Sequence, residues 1–178
     1  HPHSDMEIIT YVRSGAITHQ DSMGNKGRTE AGDVQVMSAG SGVTHAEYNL
    51  EDEATTIYQI WIMPRERGGK PYWGAAKFPK GDRAGALVTL ASGFEDDQQA
   101  GALPIRQDAR VLAATLSKGQ SVSYPLGAKR NAYLALAKGE ARVNGVDLGP
   151  RDGVAIREEA SIRIEAGTDA EIVLVDAP

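Results

Sequence analysis

With 178 residues, 41% hydrophobic and 24% charged, the chain has room for one ordinary domain or two small ones with a real core. The net charge is −5 with the cationic residues scattered, which argues against a nucleic-acid surface, and no apolar run approaches a membrane span. Cysteine is absent, so disulfides and thiolate metal sites are excluded and a cytoplasmic location is expected.

In chain order the periodicity is that of strands. "MEIITYV", "DVQVM" and "TTIYQIWIM" are β-branched and aromatic runs of strand length, and "RVLAATL", "AYLALA", "ARVNGV", "GVAI", "SIRIEA" and "AEIVLVD" read the same way. Between them lie turn clusters such as "MGNKG", "AGD", "SKGQ", "KGE" and "LGPRDG". Many short strands at regular spacing predict an all-β sandwich or barrel. Residues 65–106 are rich in Gly, Pro and charge and read as a connection, with some strand in "ALVTLAS" and a helical turn in "FEDDQQAGALP". The division is therefore 1–64 as a first β domain, 65–106 as linker and 107–178 as a second β domain.

The two β domains resemble each other weakly. With Gly15 set on Gly139, a strand precedes each glycine, and "AGDVQVM" follows one as "PRDGVAI" follows the other. In that register His1 falls on Pro125, His3 on Gly127 and Glu7 on Asn131, so the second half carries no candidate ligand.

All four histidines, His1, His3, His19 and His45, lie in the first 45 residues. His1 and His3 are two apart, as are His45 and Glu47, so on strands each pair projects from one face. If the two strands face each other across a barrel, three imidazoles and a carboxylate converge on one ion. Such a set suits Fe(II), Ni, Cu, Mn or Zn, and mixed nitrogen and oxygen sites with open positions are typical of non-haem iron oxygenases. The alternatives are a tag remnant, which would not run straight into a strand, a pair of core histidines, and an N-terminal copper clip, which Pro2 disfavours because it has no N–H to lose. His19, in "THQDSMGN", reads as a surface strand or turn residue, with the mouth of the site as the other option. Within "TTIYQIWIM", Tyr58, Ile60 and Ile62 share one face and Gln59, Trp61 and Met63 the other, and either face can be the inner one.

"HPHSDMEIITYV", "HQDSMGN", "AGDVQVMSAGSGVTHAEYN" and "IYQIWIMP" closely resemble the pirin family, bicupins of the cupin superfamily. The resemblance is strong over residues 1–64 and looser but collinear beyond. It implies two double-stranded β-helix (jelly-roll-like) barrels, the second without metal. It implies one divalent ion held by His1, His3, His45 and Glu47, with iron(II) favoured and copper, manganese, nickel or zinc as alternatives. Many cupins place a glutamate a few residues after the HxH pair, which would be Glu7, whereas pirins use the HxE glutamate. Glu47 is therefore the expected ligand, and Glu7 or Asp5 an acceptor for a histidine N–H. Family members carry further residues before the HPH motif, so the chain looks like a pirin without its start. The implied activity is cleavage of flavonols such as quercetin with O2 and release of CO, with Glu47 as base. The alternative is a regulator that binds protein partners and uses the ion as a redox sensor. No direct nucleic-acid partner and no membrane partner are expected.

Overall fold

Alternating β-branched residues and glycine turns produce a chain whose regular structure is almost all strand. The computed structural model describes all 178 residues. The strands are β1 (Pro2–His3), β2 (Glu7–Ser14), β3 (Ala16–Asp21), β4 (Lys26–Glu30), β5 (Val34–Ser38), β6 (Val43–Tyr48), β7 (Thr56–Ile62), β8 (Tyr72–Ala76) and β9 (Val88–Ser92). They continue as β10 (Leu103–Pro104), β11 (Arg110–Leu116), β12 (Ser121–Tyr124), β13 (Asn131–Lys138), β14 (Ala141–Val143), β15 (Val146–Leu148), β16 (Gly153–Arg157), β17 (Ile162–Ala166) and β18 (Ala170–Ala177). A single short α-helix, α1 (Glu95–Gln99), lies in the "FEDDQQAGALP" stretch, a 3-10 turn spans Lys80–Arg83, and β9 lies in "ALVTLAS". No helix is long and apolar enough to cross a membrane.

The chain divides into two compact units. The first comprises residues 1–79 and 93–107, the second residues 80–92 and 108–178. Residues 65–106 thus contribute folded structure to both units: β8, α1 and β10 to the first and β9 to the second.

The first unit is built of two four-stranded sheets, ordered β1-β6-β3-β4 and β7-β2-β5-β8. Strand β2 runs through the middle of its sheet with Glu7 to Val12 all buried, one face carrying Ile8, Thr10 and Val12 and the other Glu7, Ile9 and Tyr11. Ile8 packs with Met37, Ala39 and Val43, with Met6 and Trp73 against them.

The second unit repeats this plan. Sheet β12-β17-β14-β15 matches β1-β6-β3-β4 strand for strand, and β18-β13-β16 matches β7-β2-β5. The registers agree: Glu7 faces Ser38 and Tyr11 faces Val34, as Asn131 faces Arg157 and Ala135 faces Gly153. The pairing of Gly15 with Gly139 made on sequence is thus reproduced by the sheet topology. One difference is that β18 is flanked by β11, whereas β7 is the edge of its sheet. Eighteen buried residues from both sheets fill the second unit, including Leu112, Leu134, Ile156, Ile162, Ile164 and Leu174.

Gly139 turns the chain between β13 and β14 at φ +86°, and a Cβ there would stand 2.3 Å from the carbonyl oxygen of Asp169. No side chain avoids both the left-handed backbone and a backbone clash. Gly139→Ala is expected to cost on the order of 2–3 kcal/mol, read as a lower denaturant midpoint at unchanged m-value.

The reading of "ARVNGV" as one strand is corrected. Asn144 and Gly145, at φ +44° and +85°, make a two-residue turn between β14 and β15. Asn-Gly is the strongest short hairpin signal, because both central residues of that turn need positive φ.

Candidate metal centre

Strands β1, β6 and β3 lie side by side. The His1 nitrogen donates to the His45 carbonyl at 2.9 Å and the His45 N–H to the His1 carbonyl at 3.0 Å, so the two residues are directly opposite. On the other side of β6, His45 faces Asp21 and Glu47 faces His19. Opposed residues of a ladder project to the same face, and so do residues two apart. His1, His3, His45, Glu47, His19 and Asp21 therefore share one face of one sheet. The expectation that the HxH and HxE strands confront each other across a barrel is corrected: they are hydrogen-bonded neighbours.

Two overlapping triads result. Donor atoms of His1, His3 and His45 lie within 4.8 Å of one another, and so do those of His19, His45 and Glu47. His45 is common to both. Its Nε2 is 3.0 Å from His1 Nε2 and its Nδ1 is 3.5 Å from His19 Nδ1. The rings of His1, His3 and His45 have centroids 4.6–5.0 Å apart. Of the four residues expected as ligands, three histidines meet directly and Glu47 joins through His45.

Glu47 is held by two amides from the facing sheet. Gln59 Nε2 donates to Oε2 at 2.9 Å, and Gln35 Nε2 donates to Oε1. This settles the orientation of β7: Gln59 and Trp61 face the site. Trp61 donates its indole N–H to Gln59 Oε1 at 3.1 Å, meets His3 edge-on with centroids 5.2 Å apart, and remains 54% exposed. Gln35 carries no signal in the sequence, and Gln59 is marked there only as sharing a strand face with Trp61. Their spacing along β5 and β7 carried no motif, and only the sheet registers show that both reach Glu47.

Glu7 and Asp5 do not serve as acceptors for a histidine. Glu7 points to the other face of β2, where it accepts hydrogen bonds from Ser38 Oγ and, at 3.1 Å, from the backbone N–H of Arg106. Asp5 accepts the Gly68 N–H at 2.7 Å. Odd and even positions of a strand face opposite ways, and Glu7 is on the wrong parity. His19 is corrected as well. It is fully buried in β3, stacked on Trp73 with centroids 5.0 Å apart and planes 13° from parallel, and its Nε2 is 3.0 Å from Asp21 Oδ2. The signal that could have found it is the spacing itself: His19 and Asp21 form a third i,i+2 pair in the sequence.

Burial holds His45 below its ordinary pKa, with Glu47 opposing, and burial likewise lowers His3. Burial also disfavours the imidazolium of His19, but the carboxylates of Glu47 and Asp21 outweigh it and raise that group. A dication beside His45 would push His19 the other way. The neutral, unprotonated imidazole nitrogen is the form that binds metals. Two ligands at right angles, each about 2.1 Å from an ion, lie ~3.0 Å apart, and the 3.0 Å between His1 and His45 Nε2 matches that spacing. Imidazoles with a carboxylate and no thiolate suit a divalent transition ion. The donor set fits such an ion.

In the second unit the same places are apolar. Tyr124 faces Ile162 as His1 faces His45, and Val143 faces Ile164 as His19 faces Glu47. Tyr124, Ile162, Ile164 and Val143 all belong to the buried core there, together with Leu126, two residues after Tyr124 as His3 is after His1. The strand pairing therefore moves the counterparts of His1 and His3 one residue back from Pro125 and Gly127. None of these counterparts is an imidazole or a carboxylate.

Two tandem barrels, the first with a cluster of imidazoles and a carboxylate on its inner sheet face and the second filled by an apolar core, define a bicupin. Residues 1–62 match the Pirin family, and residues 90–177 match the quercetinase C-terminal cupin domain. The chain is 67% identical over 177 residues to a pirin-like protein of Caulobacter vibrioides, covering 99% of this chain and 75% of that one. It is 40% identical over 179 residues to the quercetin 2,3-dioxygenase of Escherichia coli K12, covering 100% of this chain and 75% of that protein. The crystal structure of the bacterial pirin YhhW from Escherichia coli in complex with nickel(II) superposes with a TM-score of 0.91 at 39% identity, over 100% of this chain and 75% of that one. The chain belongs to the pirin family.

Proposed function

We propose that the protein is a metal-dependent dioxygenase acting on flavonols, with a single divalent ion held by His1, His3, His45 and Glu47. Iron(II) is the ion we favour, with copper, manganese, nickel and zinc as the alternatives to test. The observation that carries the reading is the convergence of three imidazoles and an amide-braced carboxylate beside an exposed indole. Similarity to the quercetin 2,3-dioxygenase of Escherichia coli supports the substrate class, and the nickel(II) complex of the Escherichia coli pirin supports an ion site.

The ion supplies Lewis acidity toward a substrate hydroxyl and a place where O2 and substrate meet. The chain supplies the rest. Trp61, half exposed and next to His3, offers an aromatic face for a flat polyphenol. Glu47 is the base: its carboxylate has about four lone-pair sites, and Gln35 and Gln59 use two. Of the two that remain, one would bind the ion and the other would receive the proton of the flavonol 3-hydroxyl. The two amides hold the carboxylate in place, so orientation is settled before substrate arrives. The flavonol and one O2 then give a ring-opened ester and one CO, with no further oxidant.

Oxygen uptake with quercetin tests this, using protein loaded separately with Fe(II), Cu(II), Mn(II), Ni(II) and Zn(II). Uptake should match quercetin consumed and CO released with at least one ion. Glu47→Gln should lower kcat by about 100-fold or more, in the range of a lost general base. Protein that binds one ion per chain and consumes no quercetin with any of them would disprove the flavonol reading.

A further inference from the structure

His19 and Asp21 are left over once His1, His3, His45 and Glu47 are assigned, yet both side chains are fully buried. Asp21 is pinned in the turn between β3 and β4. Its Oδ1 accepts the N–H groups of Met23 at 2.9 Å and Asn25 at 3.0 Å. Its Oδ2 accepts the Asn25 amide at 2.9 Å and faces His19 Nε2 at 3.0 Å. A carboxylate only accepts, so the proton of His19 toward Asp21 sits on Nε2, and in the neutral ring, the form a dication beside His45 favours, Nδ1 keeps a lone pair. That lone pair is 3.5 Å from His45 Nδ1. Glu47 Oε1 is farther from it, at 3.9 Å, and is already engaged by Gln35.

The ring of His19 is held against rotation. Trp73 stacks on it, and Gly27, opposite His19 in the ladder, leaves the room: a Cβ there would stand 2.3 Å from Trp73 Cη2. We propose that Asp21 and His19 form a positioning relay that keeps the proton of His45 on Nδ1, so that its Nε2 lone pair is presented to the ion beside His1 and His3. A ligating histidine commonly spends its second nitrogen on a fixed acceptor, which selects the tautomer. Here the acceptor is another imidazole, oriented in turn by a carboxylate. The inference rests on the metal-centre reading of the preceding subsection and adds residues to it.

Nickel(II) binding by calorimetry tests the relay in the whole chain, with His19→Phe, His19→Asn, Asp21→Asn and His45→Ala beside the unaltered protein. His19→Phe keeps the ring under Trp73 and removes the acceptor; affinity should fall about 10–100-fold, the usual cost of losing such a partner. His19→Asn, whose amide oxygen replaces Nδ1 as acceptor, should recover most of that loss. Asp21→Asn keeps the shape, presents an N–H to His19 Nε2 and reverses the chain of donors, so it should weaken binding comparably even if His19→Phe disturbs the packing. Copper(II) spectra of His19→Phe should retain the same number of coupled nitrogens as the unaltered protein. Unchanged affinity in both His19→Phe and Asp21→Asn overturns the relay. Loss of one coupled nitrogen in His19→Phe also overturns it, by making His19 a ligand. Unaltered nickel binding in His45→Ala removes the metal centre itself, and the relay with it.

Discussion

Replacing His45 with alanine is expected to weaken divalent-metal binding by more than about 100-fold and to abolish quercetin-dependent oxygen uptake. Losing a hydrogen-bond partner of a ligand costs about 10–100-fold, and losing the ligand costs more. His45 is the residue shared by both triads, and it is 4% exposed. Its removal leaves His1 and His3 without a third imidazole and separates Glu47 from them. The effect is also readable without turnover. An ion at about 100 times its dissociation constant stabilises the folded state by about 2.7 kcal/mol. The rise in unfolding midpoint on adding Ni(II) should therefore vanish in His45→Ala. A variant that still shows the full rise would place the ion elsewhere.

The second large effect is expected at Asp176, in the second unit. Its side chain is 1% exposed and accepts the Tyr124 hydroxyl at 2.6 Å and Arg130 Nε at 2.5 Å, with Arg110 3.8 Å away. Burial, with the neighbouring carboxylate adding to it, pushes the Tyr124 hydroxyl up to about 12, so it stays a donor across the working pH range. Asp176→Ala leaves the Tyr124 hydroxyl without its acceptor and two guanidinium groups without their carboxylate. Removing one partner of a buried pair costs about 3–5 kcal/mol. For a chain of this size each kcal/mol is worth about 2–4 °C, so the midpoint should fall by roughly 10 °C. Metal affinity should not change, since Asp176 belongs to the second unit. A midpoint within about 2 °C of the unaltered protein would show that the cluster is not a net stabiliser.

The strands were legible where burial repeats with period two or where a β-branched run is continuous, as in β2, β7, β13 and β18. Strands β4 and β12 were missed, because "KGRTE" and "SVSY" carry little apolar signal. His19 was read as a surface residue because "AITHQD" carries polar side chains on the face that the fold buries. A polar strand in the wall of a binding site looks like a loop, since the face that would be apolar in a core carries imidazole and carboxylate instead. Glu7 shows the reverse case. Its position after HPH invites a ligand role, and strand parity takes it to the opposite face.

Two properties were already contained in the chain order. His1 with His3, and His45 with Glu47, are each fixed to a common face by the two-residue repeat of a strand. The lack of histidine after residue 45 confines imidazole chemistry to the first unit. What needed the folded molecule was the lateral placement of those pairs. Ladder registers set His1 against His45 and His19 against Glu47 across contacts 44 and 28 positions apart in the chain, and no local pattern encodes such offsets. The same registers bring Gln35 and Gln59 to Glu47, and put Ile162, Ile164 and Val143 where the second unit would otherwise hold ligands. Local alternation decides which face a side chain takes, while pairing between distant strands decides which side chains meet there.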